Sequence, residues 1–345
     1  MTTEFKKDDF FKIDPECHLI PDIHLLEHFP GVNMWWRAVP NILRALNMGL
    51  PEGDLSFEDW ELKHVPNPEN IIRAMDKYGV DIVCLLPESM MDTTGYTTRW
   101  VTNGEMGRVV DSNPDRFLYH PNLSPIKHKG IKNTIWELEY WVKERRAKIF
   151  KYYAPEDTYI NDPDLWPFYE KAQELGITLT IHTGWAWVPP GKAKYALPIL
   201  LDDVARDFPE LKIIAFHMGY PYCDDLNMVA MAHPNVYLCL SLLVPWSITA
   251  PHKFAKIFGE ALRFAGSERI IWGVDYAGAA SQIAFAVKGF REFKIPEDMR
   301  VGWGYPEITD EIRRKIFGEN LARILGIELK RRVTTGIVSV STGDH

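Results

Sequence analysis

The chain has little cysteine and pairs none of it. Its four cysteines, Cys17, Cys84, Cys223 and Cys239, form no C-x-x-C pair, so neither a disulfide framework nor a thiolate zinc site is written here. All four sit in or beside strand-like runs and read as reduced thiols of a cytoplasmic protein. Positive charge is also short. With 39 Lys and Arg against 47 Asp and Glu, the net charge is -8. A general nucleic-acid binder needs a basic face to neutralise phosphates, and that class is excluded. No apolar run reaches the ~18 residues of a membrane span. The opening residues 1–9 lack the apolar stretch of a signal peptide. Internal repeats and low-complexity segments are missing as well. What remains is an ordinary globular composition, 46% hydrophobic and 25% charged over 345 residues, with 12 tryptophans.

Four short segments carry the chemistry. They are Ile13-Asp14-Pro15-Glu16-Cys17-His18, Thr178-Leu179-Thr180-Ile181-His182, Lys212-Ile213-Ile214-Ala215-Phe216-His217 and Ile270-Ile271-Trp272-Gly273-Val274-Asp275. In each, β-branched or bulky apolar residues run into a carboxylate or an imidazole. A barrel of parallel strands collects its strand ends in one ring at its C-terminal face. Glu16, His18, His182 and Asp275 would then surround one point, with His217 beside it.

The rest of the chain supports such a barrel. Further strand signals occur at 81–86, 117–120, 147–151 and 235–240, several as near-continuous apolar runs suited to strands covered on both sides. Helical patterns lie between them. Asp162-Pro163-Asp164 starts one helix, with an acidic cap and a proline in the first turn, and Gly176 ends it. Residues 69–78 and 198–208 look similar. Ile308-Thr309-Asp310-Glu311 opens the last helix, with Ile312, Ile316, Leu321 and Ile324 on one face. The expectation is an α/β fold, a (β/α)8 TIM barrel forming a single domain over residues 1–330. Residues 19–68 are too long for one loop and form an excursion over the barrel mouth or at a dimer contact. Residues 331–345 are a polar tail or arm.

Glu16 and His18 are two apart, and a period of two turns both side chains the same way. His182 and Asp275 add two more ligands. Imidazole and carboxylate donors suit Zn²⁺ or Mn²⁺, with no organic cofactor. Cys17 should face away as a buried thiol. His217 is a further ligand, a proton-transfer group, or merely a hydrogen-bond partner of Asp275. Lys151 would be a carboxylated bridge between two metals, but only one ligand set is visible, so a structural or substrate-contacting role is preferred. Trp185 and Trp187 after His182, Tyr220 after His217, and Trp246 near the seventh strand are candidates for a pocket lined by flat side chains. His24-Leu25-Leu26-Glu27-His28 meets an inverted zinc-protease pattern, but a surface or lid role fits it better.

The segments Ile13–Pro21, Ile181-His182-Thr183-Gly184, His217-Met218-Gly219, Val274-Asp275-Tyr276 and Ile316–Gly326 together resemble the amidohydrolase superfamily. More narrowly, the chain is similar to the branch of aminocarboxymuconate-semialdehyde and γ-resorcylate-type decarboxylases, over about residues 11–327. The superfamily's first motif is usually His-x-His, and Glu16-x-His18 is similar to the resorcylate type. One departure stands out: those enzymes usually carry Glu after His-Met-Gly, where this chain has Tyr220. The resemblance implies a metal-dependent, non-oxidative decarboxylase of a hydroxylated aromatic or related unsaturated carboxylic acid, with Asp275 and His217 as catalytic groups. The alternative is a hydrolase of a lactone, amide or ester, or a hydratase, using activated water. A homodimer or homotetramer acting on a small carboxylic acid is expected, with no membrane or nucleic-acid partner.

Overall fold

The computed structural model describes residues 10–19, 68–87, 101–186, 191–275 and 280–330. Most of the expected excursion, the His24–His28 pattern, Trp187 and the tail at 331–345 lie outside these residues. Eight parallel strands alternate with helices. They are β1 Ile13–Leu19, β2 Ile82–Pro87, β3 Phe117–Tyr119, β4 Ile149–Tyr152, β5 Thr178–His182, β6 Lys212–Phe216, β7 Val236–Cys239 and β8 Ile270–Ile271. The helices between and after them are α1 Pro68–Tyr78, α2 Asn103–Ser112, α3 Ile131–Lys143, α4 Trp166–Glu174, α5 Leu201–Asp207, α6 Cys223–Ala232, α7 Pro251–Phe264 and α8 Ala280–Glu292. This is the expected TIM barrel.

The strands pair as β1-β2-β3 and β4-β5-β6-β7-β8, which leaves two seams in the wall. Backbone closes the first: Lys151 N donates to Pro121 O and Leu123 N donates to Lys151 O, both at 2.9 Å. A side chain bridges the second, as shown below for Asp14. Along β2 the pleat sends Ile82, Cys84 and Leu86 into the barrel and Val83 and Leu85 toward the helices. That alternation divides the core into a barrel interior and an outer layer.

The final helix closes the barrel floor. Thr309 caps Asp310–Arg314, a π turn covers Lys315–Glu319, and Asn320–Leu325 completes the run. Ile316 and Leu321 are five residues apart, and the π turn absorbs that step so both stay buried. Leu321, Ala322, Ile324 and Leu325 join the interior core. Lys148 Nζ donates to Leu325 O at 2.8 Å and Lys212 Nζ to Ile324 O at 3.3 Å, satisfying carbonyls the helix end leaves open. Gly318 is obligatory there, since a Cβ would come 2.4 Å from Phe11 O.

Candidate metal centre

β1 carries an irregularity between Asp14 and Cys17, where three steps on β1 match two on β2. The extra residue re-aims the strand end. Glu16 and His18 point to one place, and Cys17 packs in the outer, helix-facing layer. Burial pushes the Cys17 thiol well above its ordinary range, so it is inert. Asp275 is not on a strand. β8 ends at Ile271, and Asp275 stands four residues later in a loop at φ 60. His217 and Met218, just past β6, also take left-handed backbone at φ 60 and 53. Such conformations in non-glycine residues cluster at functional sites.

Glu16, His18 and Asp275 present ligand atoms within 4.8 Å of one another. His18 Nε2 is 3.1 Å from Asp275 Oδ1 and 3.8 Å from Glu16 Oε1. His18 Nδ1 is 3.3 Å from Leu86 O. A carbonyl only accepts, so in the neutral ring Nδ1 carries the hydrogen and Nε2 turns a lone pair toward two carboxylates. Glu16 Oε2 is buried with no hydrogen-bond partner. Acceptors converging on one point, one of them an orphaned buried oxygen, fit a divalent cation with nitrogen and oxygen ligands.

Lys151 is fully buried and places Nζ 2.9 Å from Glu16 Oε1, 4.0 Å from the centre of the Phe216 ring. Burial alone would push the Glu16 carboxyl up. The Lys151 ammonium, which also donates to Oε1, overcomes that and holds it well below the usual carboxylate range.

His182 is not within the tight trio but adjoins it through His217. His217 Nε2 lies 3.2 Å from His182 Nδ1 and 3.8 Å from Glu16 Oε1. His182 Nε2 is 2.7 Å from Trp185 O, and His217 Nδ1 is 3.2 Å from Ser241 Oγ. Burial first, then His217 and Lys151, keep His182 well below its ordinary pKa and therefore neutral. One carbonyl then sets the whole chain: His182 Nε2 donates to Trp185 O, His217 Nε2 donates to His182 Nδ1, and Ser241 donates to His217 Nδ1. Glu16, His182 and Ser241, not Asp275, are the groups nearest the His217 ring nitrogens.

Sequence reasoning did not single out Asp14, His120 or Ser241. Asp14 Oδ1 accepts from Glu16 N and Val274 N, each at 3.0 Å, bridging the β8–β1 seam between two candidate ligands. Burial pushes this carboxyl up to about 8, against the pull of those two donors. His120 stands 2.8 Å from Pro15 O and 2.8 Å from Thr180 Oγ1. Burial, with Lys151 nearby, pushes His120 down to about 3, so it is a neutral prop under β1. A carboxylate inside an apolar strand was the available signal for Asp14. Ser241 carried none.

The aromatic residues form one wall. The Trp185 and Tyr220 rings meet edge to face at 5.1 Å, and Tyr220 and Trp246 at 4.9 Å. Gly184 allows this approach: it sits at φ 100, and a Cβ would lie 2.1 Å from Tyr220 O. Trp185 is half-buried and Trp246 buried.

A family model described as amidohydrolase matches residues 13–327. A 5-carboxyvanillate decarboxylase from Novosphingobium aromaticivorans, solved with manganese and 4-hydroxy-3-methoxy-5-nitrobenzoic acid, is 15% identical with a TM-score of 0.63, covering 95% of this chain and 100% of that one. A 4-oxalomesaconate hydratase from Rhodopseudomonas palustris is 19% identical with a TM-score of 0.54, covering 92% and 96%. Protein fluG of Emericella nidulans is 30% identical over 78 residues, and the match spans 23% of this chain and only 9% of that protein. The structural likenesses are likenesses of fold. The family match extends from the first strand through the helix that closes the barrel floor, and the chain belongs to the amidohydrolase family.

Proposed function

We propose that the protein is a metal-dependent, non-oxidative decarboxylase of a hydroxylated aromatic or related unsaturated carboxylic acid. The observation that carries this reading is the convergence of Glu16, His18 and Asp275, beside a wall of flat rings at Trp185, Tyr220 and Trp246. Zn²⁺ or Mn²⁺ held by Glu16, His18 and Asp275 would supply chelation of a carboxylate with its neighbouring hydroxyl and draw off negative charge, and His182 would become a fourth donor only once its Nδ1 gives up the hydrogen bond from His217. The manganese-bound Novosphingobium decarboxylase supports this choice.

The side chains supply the rest. Lys151 keeps Glu16 ionised and, being fully buried, acts on the substrate only through it. Trp185 and Tyr220 hold a planar ring in one orientation. Asp275, the most exposed of the trio at 14% of its side chain, delivers a proton to the ring carbon that bears the carboxylate. The bond from that carbon to the carboxyl group then breaks, its electron pair restores conjugation, and carbon dioxide leaves. Solvent returns a proton to Asp275, and His217, with both ring nitrogens engaged, fixes His182 in place during that exchange.

A second reading, a hydratase or hydrolase using activated water, is favoured by Tyr220 standing where related decarboxylases carry Glu, and by the fold likeness to the hydratase. Incubation of the manganese-loaded protein with a panel of hydroxybenzoates in deuterated water separates the two. The proposal expects carbon dioxide and ring deuterium in equal amounts. No carbon dioxide, together with metal-dependent hydrolysis of a lactone or amide, overturns it.

A further inference from the structure

The wall that begins at His182 does not end at Trp246. Trp185 O accepts from His182. The Trp185 ring meets Tyr220, Tyr220 meets Trp246, and Lys253 stands over both of these last two rings. Its Nζ lies 3.8 Å from the Trp246 ring centre and 4.8 Å from that of Tyr220. Lys253 occupies the first turn of α7, which follows β7 and so starts at the C-terminal face of the barrel. The side chain is exposed. Among the described residues, no carboxylate lies within ion-pair distance of it.

We infer that Lys253 is a specificity-determining residue that receives a second anionic group of the substrate. Two aromatic faces hold the ammonium by attraction to their π clouds and limit its freedom before any ligand arrives. An ammonium fixed in this way presents its remaining donors outward. A neutral ring system with a single carboxylate has nothing to offer them, whereas a dicarboxylate does. The ordered cation lowers the entropy lost on binding, which favours discrimination by charge. This inference rests on the proposed aromatic-acid chemistry for the choice of ligand class.

The test compares binding of two ligands that differ by one carboxylate, 4-hydroxyisophthalate and salicylate, to the manganese-loaded protein by calorimetric titration. The readout is the ratio of the two dissociation constants, which cancels any general loss of binding. The parent should prefer 4-hydroxyisophthalate by about tenfold or more, the size of one charge-assisted contact. Lys253→Ala should bring the ratio close to one, Lys253→Glu should invert it, and Lys253→Arg should retain it. A parent ratio near one, failure of both ligands to bind, or a ratio unchanged in Lys253→Ala and Lys253→Glu overturns the inference. Carbon dioxide is measured separately on the same samples. A charge preference without carbon dioxide release leaves the role of Lys253 standing and counts against the decarboxylase reading, which falls when the wider panel also releases none and a lactone or amide is hydrolysed.

Discussion

His18 and His217 both follow strand-like runs, yet their hydrogen bonds give them different work. His18 gives its Nδ1 hydrogen to Leu86 O and keeps one lone pair facing Asp275. His217 has both nitrogens engaged, by His182 and Ser241. We therefore expect His18→Ala and Asp275→Ala to copurify with little metal, measured by elemental analysis. His217→Ala should keep most of it and lose about 10²-fold in rate, the low end of a proton-transfer contribution. Metal equal to the parent in the first two, with the fold intact, would reject the ligand set. Lys151 is open to a stability test. Removing one partner of a buried pair costs about 3–5 kcal/mol, because the other charge is left uncompensated. Lys151→Met in chelator-treated protein should therefore lower the urea midpoint, and Glu16→Gln in the same chain should recover a large part of the loss. Additive losses in the double variant would show that the two groups do not act as a pair.

At the level of elements, the β8–β1 seam depends on one side chain. Asp14 offers a single oxygen to Glu16 N and Val274 N, each in or beside a segment that carries a candidate ligand. Asp14→Ala leaves two buried amides without an acceptor and frees both segments. Metal affinity should fall roughly 10–100-fold, the range found when groups that orient ligands are removed. Asp14→Asn keeps the acceptor oxygen and should stay close to the parent. Equal losses in the two variants, followed by metal titration, would place the effect elsewhere. The seam also marks where the sequence stops being readable. Glu16 and His18 are legible because a strand's period of two turns both the same way, and His182 and His217 because each ends or directly follows an apolar strand run. Asp14 is hidden by the extra residue in β1, since register cannot be counted through a bulge from one strand alone. Asp275 reads as a strand end, but β8 stops after Ile271 and a left-handed loop places the carboxylate. Lys253 is not singled out by any signal in the sequence. Only the packing of three loops reveals the rings beneath it.

The whole molecule is built so that acceptors from opposite ends of the chain meet. Three such groups held together are costly for the fold, Lys151 offsets that cost only at Glu16, and a bound cation would relieve the rest. Manganese at about 100 times its dissociation constant should stabilise the protein by ~2.7 kcal/mol relative to chelated protein, if the ion binds the folded state alone. Thermal unfolding with and without chelator measures this, and coincident midpoints would contradict a site in these residues. The seam has a further consequence, in time. Asp14 and Val274 are 260 residues apart. At roughly 5–20 residues per second, a ribosome needs on the order of 10–50 s to travel between them. Throughout that interval the nascent chain carries Glu16 and His18 without Asp275. With these three residues as the ligand set, metal would be captured at full strength only near the end of synthesis, when the last strand arrives and the final helix seals the floor beneath it.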